Sequence, residues 1–476
     1  MSTVSKGSDQ RDDFGESLLV FRNSIGVECR GTLMSVTQQM AVFEVYNPYS
    51  IVQLSEVLNE LRISRGDRTV YAGKAVVSNL VNTGLMLIVS ATLVDDWSSK
   101  RTLKLSDEIV SEVSVFVNDW EQTQGRLLPS YLSIVNRFRN FLEELSRWLG
   151  QGEALAGISD PATPDSAKRN FVHDVMNGVG GKIWELMKGF EAAAQDVAPD
   201  AVNIHKSYAR REIHPLILCS PFLHRTFTKP LGYAGDYEMV NMILTDPIKG
   251  PNTYARILNL LNLNGAAATA HRNRIAMLVA YLRQSASAAS ARGQKLRVLN
   301  IACGPAAEIQ QFAKDPLVAS CEFTLLDFNA ETLKYATAMI EGVARDAKTT
   351  VSITTILKSI HDLLKETSSR FDSQRALPSY DLVYCAGLFD YLSDKICQRL
   401  VRLFTHMTRP GGMVLVTNVH SDNPNRLYME HLLEWHLYHR NDAQMLSLAP
   451  GDVPARTVRD QTGVNIFLEI TKPGSA

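Results

Sequence analysis

The sequence has few of the features that mark membrane, secreted or metal-binding proteins. No apolar run approaches 18 residues, so we expect no transmembrane helix. The polar N-terminus carries no hydrophobic signal region, and the six cysteines form no CxxC pair and no metal-like Cys/His spacing. These absences predict a cytoplasmic protein with reduced thiols and no bound metal.

An excess of charge of one sign is also absent. The chain has 49 basic and 50 acidic residues and a formal net charge of -1. Such a balance gives no whole-protein attraction to nucleic acid or to an anionic membrane, so we expect a small-molecule partner and no nucleic acid. Its 476 residues are too many for one core and predict two or three domains. The sequence leaves a homodimer open.

Hydrophobic periodicity divides the chain into four segments. Residues 1–20 are polar and predict a disordered tail, and short β-rich runs with turn residues predict a small antiparallel β-barrel at 21–100. Apolar residues at three- and four-residue spacing predict a helical region at 106–290. From 295 to 476, strands such as LRVLNIA, CEFTLLD and YDLVYCA alternate with helices. This alternation predicts a Rossmann-like α/β domain with a mostly parallel, seven-stranded sheet.

The turn after the first strand of this α/β domain predicts a ligand site. Ligands of open α/β sheets bind at the C-terminal strand ends, where the backbone must approach the ligand. Gly304 has no side chain to obstruct that approach, and Pro305 suits a first helical turn. Asp327 ends the second strand, where a carboxylate can accept hydrogen bonds from two ribose hydroxyls. A solvated loop acid is the alternative reading of Asp327.

The later motifs favour S-adenosylmethionine (SAM) over a dinucleotide. The turn has no GxGxxG and therefore no pyrophosphate cradle, a fourth strand ends in CAGLFDY, and Arg-Pro-Gly-Gly precedes a fifth strand. In order and spacing these motifs resemble the class I SAM-dependent methyltransferases over roughly residues 295–472. Asn300 stands where that family commonly has an acidic residue, which leaves the contacts to the methionine part of SAM open. The predicted cofactor-binding residues are Ala302, Cys303, Gly304, Pro305, Asp327, Phe328, Asp362, Ala386 and Gly387.

Some of these residues also have plain structural interpretations. We interpret Cys303 as a small packing residue and not as a nucleophile, because methyl transfer from a sulfonium needs no covalent intermediate. Phe328 is expected against the adenine, with a core position as the alternative. Asp362 follows the third strand, where many methyltransferases contact adenine.

Three further motifs point to a narrower family. They are KPLGYAGDY at 229–237, AHRNR at 270–274 and EWHLYHR at 434–440. With the methyltransferase motifs they resemble the bacterial methyltransferases of extracellular-factor 3-hydroxypalmitic acid methyl ester biosynthesis, over roughly residues 200–472. The resemblance implies O-methylation of a 3-hydroxy fatty acid carboxylate, which gives a diffusible quorum-sensing methyl ester.

That reaction needs donors for a carboxylate and an apolar channel, and no general base. The residues predicted to act on the carboxylate are Tyr233, His271, Arg274 and Arg440. The residues predicted to contact the rest of the substrate are Tyr237, Leu388, Phe389, Tyr391 and Trp435. The alternatives are that the tyrosines of GYAGDY pack on the sheet and that Arg274 lies on a solvated helix face.

The N-terminal barrel resembles a degenerate PilZ domain, the module that binds cyclic di-GMP. PilZ binding uses an RxxxR stretch followed by D/NxSxxG. Here Arg22 and Arg30 are eight residues apart and no D/NxSxxG follows. Arginine pairs grip phosphates through a defined spacing, so a structural role or a protein partner is favoured over cyclic di-GMP.

Two other functions stay open from the sequence. One is a methyltransferase acting on another small-molecule acid or hydroxyl. The other is a non-catalytic regulatory protein that binds a signal, against which Asp327 and the Pro-Gly-Gly turn argue.

Overall fold

The computed structural model describes most of the chain, in two compact units. The described residues are 17–23, 26, 28–37, 39–46, 52–65, 68–82, 86–95, 113–114, 117–118, 121, 125–365 and 379–474. The first unit comprises Met1–Val52 and Glu56–Val115, and the second comprises Gln53–Ser55 and Phe116–Ala476.

The first unit contains a closed antiparallel barrel. Around the barrel the strands follow the order β1-β2-β3-β6-β5-β4, and β1 closes it by pairing with β4. Its strands are β1 (Ser17–Arg22), β2 (Glu28–Val36), β3 (Met40–Tyr46), β4 (Val57–Arg65), β5 (Arg68–Asn82) and β6 (Met86–Leu93). The sequence patterns missed β1 and β4, and β1 begins inside the range predicted as a disordered tail. Residues 1–16 of that tail lie outside the described residues.

Alternation along the strands fills the barrel with apolar side chains. Phe21 and Phe43 are fully buried, and their ring centroids lie 5.5 Å apart. Arg22 and Arg30 are exposed and lie 3.6 Å from Glu60 and 3.9 Å from Glu28. Both arginines thus form exposed ion pairs with acids of the barrel, which does not test the resemblance to PilZ domains. That resemblance stays a prediction.

The second unit begins with a helical region. Its helices are α1 (Pro129–Leu155), α2 (Asp165–Gln195), α3 (Val202–Ile217), α4 (Pro221–Thr228), α5 (Tyr237–Leu244), α6 (Thr253–Leu263) and α7 (Ala266–Ala291). Ser220, Asp236 and Asn252 cap α4, α5 and α6 by accepting a backbone N–H with their side chains. Most of residues 107–122, in the first part of the predicted helical region, lie outside the described residues. In the part of the chain that the structure describes, no helix is long and apolar enough to span a membrane.

The rest of the second unit is a seven-stranded sheet of order β12-β13-β11-β10-β7-β8-β9. β13 runs antiparallel to both of its neighbours, β11 and β12, and the pairs among β11, β10, β7, β8 and β9 are parallel. The strands are β7 (Leu296–Ile301), β8 (Cys321–Asp327), β9 (Ser352–Leu357), β10 (Tyr380–Ala386), β11 (Thr408–Val419), β12 (Ala455–Arg459) and β13 (Asn465–Thr471). The predicted fold class is confirmed.

Helices cover both faces of this sheet, and a separate hydrophobic core lies on each face. The helices in this part of the chain are α8 (Ala307–Phe312), α9 (Ala330–Asp346), α10 (Asp394–Met407), α11 (Arg426–Leu432) and α12 (Asp442–Leu446). The earlier helix α7 also covers one face of the sheet, whereas α11 packs in the core of the helical region. Strands β7 and β10 are buried almost throughout, which is why they read as continuous apolar runs. The C-terminal ends of the parallel strands meet at one edge of the sheet, where Gly304, Asp327 and Gly387 lie.

Candidate active site

The turn between β7 and α8 has an unusual backbone. Gly304 has a φ of 53°, and Ala302 and Ala306 have φ values of 53° and 49°. Alanine rarely adopts this left-handed conformation, which costs about 1–2 kcal/mol per residue. A Cβ added to Gly304 would have no atom within 4 Å, so this stretch of backbone faces open space. The turn thus leaves room for a ligand beside its backbone.

The strain in this turn predicts a change in stability. Ala302→Gly is expected to raise the free energy of unfolding by about 1 kcal/mol, because glycine adopts a positive φ without the steric cost. Ala338→Gly is the matched control: it lies on the exposed face of α9 and is expected to lower stability by about 0.5–1 kcal/mol. Chemical denaturation of both variants measures the difference, and a loss of stability in Ala302→Gly would contradict the strain.

Asp327 lies at the C-terminal end of β8, directly beside that turn. Its carboxylate accepts the backbone N–H of Gly304 at 3.2 Å and that of Asn329 at 3.0 Å. Burial raises the pKa of Asp327, and these backbone hydrogen bonds oppose the shift. Phe328 follows and is half-buried. The geometry suits the predicted ribose contact, which remains a prediction.

A second buried carboxylate at the turn was missed by the sequence analysis. Glu308, in the first turn of α8, accepts hydrogen bonds at Oε1 from Asn300 Nδ2 at 3.0 Å and from the Tyr384 hydroxyl at 2.7 Å. Burial raises the pKa of Glu308. Asn300, at the position that is commonly acidic, is thus paired with an acid from the next helix. The presence of an acidic residue in the first turn of this helix was the one signal in the sequence that could have indicated the pairing.

Arg274 reaches the same edge of the sheet from α7. A Cβ added to Gly387, just after β10, would lie 3.1 Å from Arg274 Nη1, so the guanidinium rests against this glycine. Arg274 is only 8% exposed. Its Nη2 donates to His271 Nδ1 at 2.9 Å, and burial lowers the pKa of His271 well below its usual value, so that imidazole is a neutral acceptor. Among the described residues, Arg274 forms no ion pair.

Charges near Arg274 act without touching it. Burial lowers the pKa of Arg274, and the charges of Asp390 and Glu308 oppose that shift. Asp390 is itself buried, and burial raises its pKa to about 6. Its Oδ1 accepts the backbone N–H of Val419 at 2.6 Å. Arg274 therefore presents a buried cation that lacks a directly bonded carboxylate.

The GYAGDY motif lies in the loop between α4 and α5 and covers this edge. The Tyr233 ring lies edge-on to Phe328, with centroids 5.3 Å apart, and the Tyr237 hydroxyl donates to Glu331 at 2.8 Å. A Cβ on Gly235, which has a φ of 77°, would lie 2.8 Å from the Tyr391 hydroxyl. That hydroxyl also accepts the indole N–H of Trp435 at 3.0 Å. The structure thus brings Tyr233, Tyr237, Tyr391 and Trp435 into one cover.

Arg440 has a different place from the one predicted. It is 2% exposed, and its Nη1 donates to the Phe389 carbonyl at 2.8 Å while its Nη2 donates to the Leu392 carbonyl at 2.6 Å. Its Nε donates to Asp394 at 2.8 Å. Because protein groups occupy all three nitrogens, Arg440 holds the chain after β10 in place and offers no unbonded nitrogen to an acceptor.

Three other predicted residues also lie away from an open site. Phe389 is fully buried and packs on Phe404 in the core beneath α10, and Leu388 packs partly against the same core. They supply core and not channel wall. Asp362 is exposed, and its carboxylate accepts the Ser359 hydroxyl at 2.6 Å. The Asp362 carboxylate is thus already engaged locally, and its contact with adenine stays a prediction.

The remaining predicted residues stay at the turn or at the end of β10. Cys303 is buried, and burial raises the pKa of its thiol well above the usual value, so the thiol is neutral. Pro305 is buried and Ala386 is half-buried at the strand ends.

Across the described residues, no group of three or more His, Cys, Asp or Glu side chains could hold a metal ion.

Sequence comparison agrees with this geometry. The family described as "Methyltransferase domain" matches residues 293–462, which span β7 through the β12–β13 turn. Residues 293–462 are a methyltransferase domain. The chain is therefore an enzyme that transfers methyl groups, with SAM as its cofactor. No curated protein matches the chain in sequence.

Solved structures resemble parts of the chain. A protein of Bordetella parapertussis described as a possible exported protein has 18% identity, covers 53% of this chain and 86% of its own, and has a TM-score of 0.40. A magnesium protoporphyrin IX methyltransferase of Synechocystis with bound SAH has 11% identity, coverages of 56% and 99%, and a TM-score of 0.31. A SAM-dependent methyltransferase of Methanosarcina mazei has 13% identity, coverages of 38% and 94%, and a TM-score of 0.27. Since these TM-scores lie below 0.5, we take no function from them.

The residues at the strand ends fit SAM. A buried carboxylate at Asp327 suits vicinal hydroxyls, and the open backbone at Gly304 permits close approach of a ligand. When bound, SAM supplies an electrophilic methyl group on a sulfonium. The enzyme must hold an acceptor atom in line with that methyl and keep water away.

Proposed function

We propose that this enzyme is an O-methyltransferase that esterifies the carboxylate of a fatty acid. One observation carries the proposal: Arg274 presents a buried guanidinium at the end of β10 without an ion-pair partner in the described residues. A buried cation is costly unless it is paired, and guanidinium binds carboxylate through two parallel hydrogen bonds. An acidic acceptor would provide the missing partner.

The chemistry requires little of the protein beyond positioning. A carboxylate is already anionic at neutral pH, so no base has to remove a proton. One carboxylate oxygen forms the new bond to the methyl carbon, and the electron pair of the broken C–S bond stays on sulfur. Arg274 orients the carboxylate, and neutral His271 fixes the guanidinium. Such positioning can supply roughly 7–11 kcal/mol of the reduction in barrier.

The cover over the site provides surface for an acyl chain. Trp435 and Tyr391 are joined by the hydrogen bond between their side chains, which leaves their ring faces to pack with apolar groups. Trp435 also packs against the hydrophobic core of the helical region. A fatty acid combines both requirements, with a carboxylate for Arg274 and methylenes for the aromatic cover.

The chain length of the acid tests this proposal. Each buried methylene contributes about 0.8 kcal/mol, so we expect kcat/KM to rise roughly fourfold per added methylene until the channel is full. The measurement uses purified enzyme, labelled SAM and a series of straight-chain 3-hydroxy acids, with the matching primary amides as controls. Flat dependence on length, or equal turnover of the amides, would contradict the fatty-acid assignment.

The resemblance to the 3-hydroxypalmitic acid methyl ester enzymes motivates the narrower proposal. The acceptor is then a 3-hydroxy fatty acid, and its methyl ester acts as a diffusible quorum-sensing signal. Lipid extracts of cells with and without the gene, searched for methyl esters by mass spectrometry, test that role. In the part of the chain that the structure describes, no cysteine forms a disulfide, which supports a reducing compartment such as the cytoplasm.

A further inference from the structure

We propose that Tyr233 is a cofactor-binding residue that contacts the nucleoside half of SAM. The sequence analysis assigned Tyr233 to the acceptor. Three observations point to the cofactor instead. The Tyr233 ring contacts Phe328, the charge of Asp327 acts on its hydroxyl, and its loop is anchored on helix α9. The inference does not depend on which acceptor the enzyme methylates.

The neighbours of Tyr233 belong to the second strand of the sheet. Its ring lies edge-on to Phe328, with a centroid distance of 5.3 Å and an interplanar angle of 63°. Burial raises the pKa of Tyr233, and the charges of Asp327 and Asp236 raise it further. Tyr233 therefore contacts Phe328 and is within electrostatic range of Asp327, the last residue of β8. A nucleoside held through its ribose by Asp327 meets Tyr233 as well as Phe328.

The loop that carries Tyr233 is fixed to helix α9, which begins just after Phe328. The Tyr237 hydroxyl donates to Glu331 at 2.8 Å, and Asn241 Nδ2 donates to the Tyr335 hydroxyl at 2.9 Å. The rings of Tyr237 and Tyr335 also lie 4.8 Å apart. Two successive turns of α5 thus dock on α9 and set the position of Tyr233.

The start of α5 is held independently. Asp236 accepts the backbone N–H of Met239 at 2.8 Å and forms an ion pair with Arg225 at 3.0 Å. Asp236 is 2% exposed, so this pair is shielded from water. The backbone on both sides of the GYAGDY turn is therefore positioned before any ligand binds. Tyr233 then forms part of the wall of the nucleoside site without a prior rearrangement.

Binding measurements without turnover test this proposal. The probes are S-adenosylhomocysteine and 5′-methylthioadenosine, which share the nucleoside and differ in the amino-acid portion. Tyr233→Ala is expected to raise the Kd of both probes by the same factor, about 5- to 150-fold, as for loss of an aromatic ring that contacts a base. Tyr233→Phe keeps the ring and is expected to stay within about threefold of the wild-type Kd. Calorimetry on the full chain gives these values.

The control is Tyr335→Phe, which removes one hydrogen bond from the same docking surface without removing a ring. We expect its Kd values to be unchanged. A normal Kd for both probes in Tyr233→Ala, with a raised KM for the acceptor, would return Tyr233 to the acceptor side and overturn the proposal. An equal loss in Tyr335→Phe would also overturn it, because it would assign the effect to docking of the loop. The melting temperature of each variant without ligand confirms that it is folded.

Discussion

Arg274→Gln is expected to reduce kcat/KM for the acid by roughly 150-fold while leaving the Kd for SAM within a fewfold of wild type. Losing one partner of a buried, hydrogen-bonded charge pair costs about 3 kcal/mol, which corresponds to that factor. Glutamine keeps part of the side-chain length but cannot bind a carboxylate through a charged fork. Steady-state kinetics with labelled SAM and calorimetry with S-adenosylhomocysteine measure the two effects separately.

The matched control for this substitution is Arg283→Gln on the same helix. Arg283 is exposed and pairs with Asp315 at 2.8 Å, so its loss should change neither turnover nor cofactor affinity. If Arg274→Gln instead weakens S-adenosylhomocysteine and 5′-methylthioadenosine differently, with the larger loss for the first, Arg274 binds the carboxylate of the cofactor. That result would remove the observation on which the fatty-acid proposal rests.

Asp327→Asn is expected to weaken SAM by about 1.5–3 kcal/mol, or roughly 10- to 150-fold. The amide keeps the size of the side chain but gives up one charged acceptor for the ribose hydroxyls. It also gives up part of the bonding to the N–H groups of Gly304 and Asn329, which shape the turn. Calorimetry measures the affinity, and thermal unfolding without ligand separates loss of binding from loss of the turn.

Asp362→Ala provides the comparison for Asp327. Both acids follow parallel strands of the sheet, and the sequence predicted a cofactor contact for each. Asp362 is exposed and bonded to Ser359, so its replacement should change the Kd for SAM by less than about threefold. A large loss of affinity in Asp362→Ala, with none in Asp327→Asn, would reverse the assignment and move the cofactor towards β9.

The strands that the sequence revealed and those it missed differ in the strength of their apolar pattern. β7 and β10 are covered on both faces, and their continuous apolar runs were recognised. β12 is at the edge of the sheet, has no buried residue, and was missed. β4 has Asn, Glu and two arginines among its nine residues, and these polar residues hid its buried apolar positions. A weak apolar pattern gives little signal even where pairing in three dimensions is regular.

The candidate site shows a similar division. The positions of Gly304, Asp327 and Gly387 at strand ends were predictable, because each follows a recognisable strand. The different positions of the two predicted arginines were not predictable. Arg274 lies at the end of β10 without an ion pair in the described region, whereas protein groups bond to all three nitrogens of Arg440. Both occur in polar, motif-like segments, and only their tertiary neighbours separate them.

By itself the sequence determined the Rossmann-like fold, the methyltransferase chemistry and SAM as the cofactor, and it predicted the edge of the sheet where SAM binds. The fold follows from local periodicity, which acts over a few positions of the chain, and the chemistry and the cofactor were implied by the resemblance of the strand-end motifs to the class I methyltransferases. Tertiary structure alone decided that Tyr233 faces Phe328, that Glu308 pairs with Asn300 and that Phe389 is core. The reason is that side-chain packing and burial depend on residues far apart in the sequence, and burial decides which polar groups are left for a ligand.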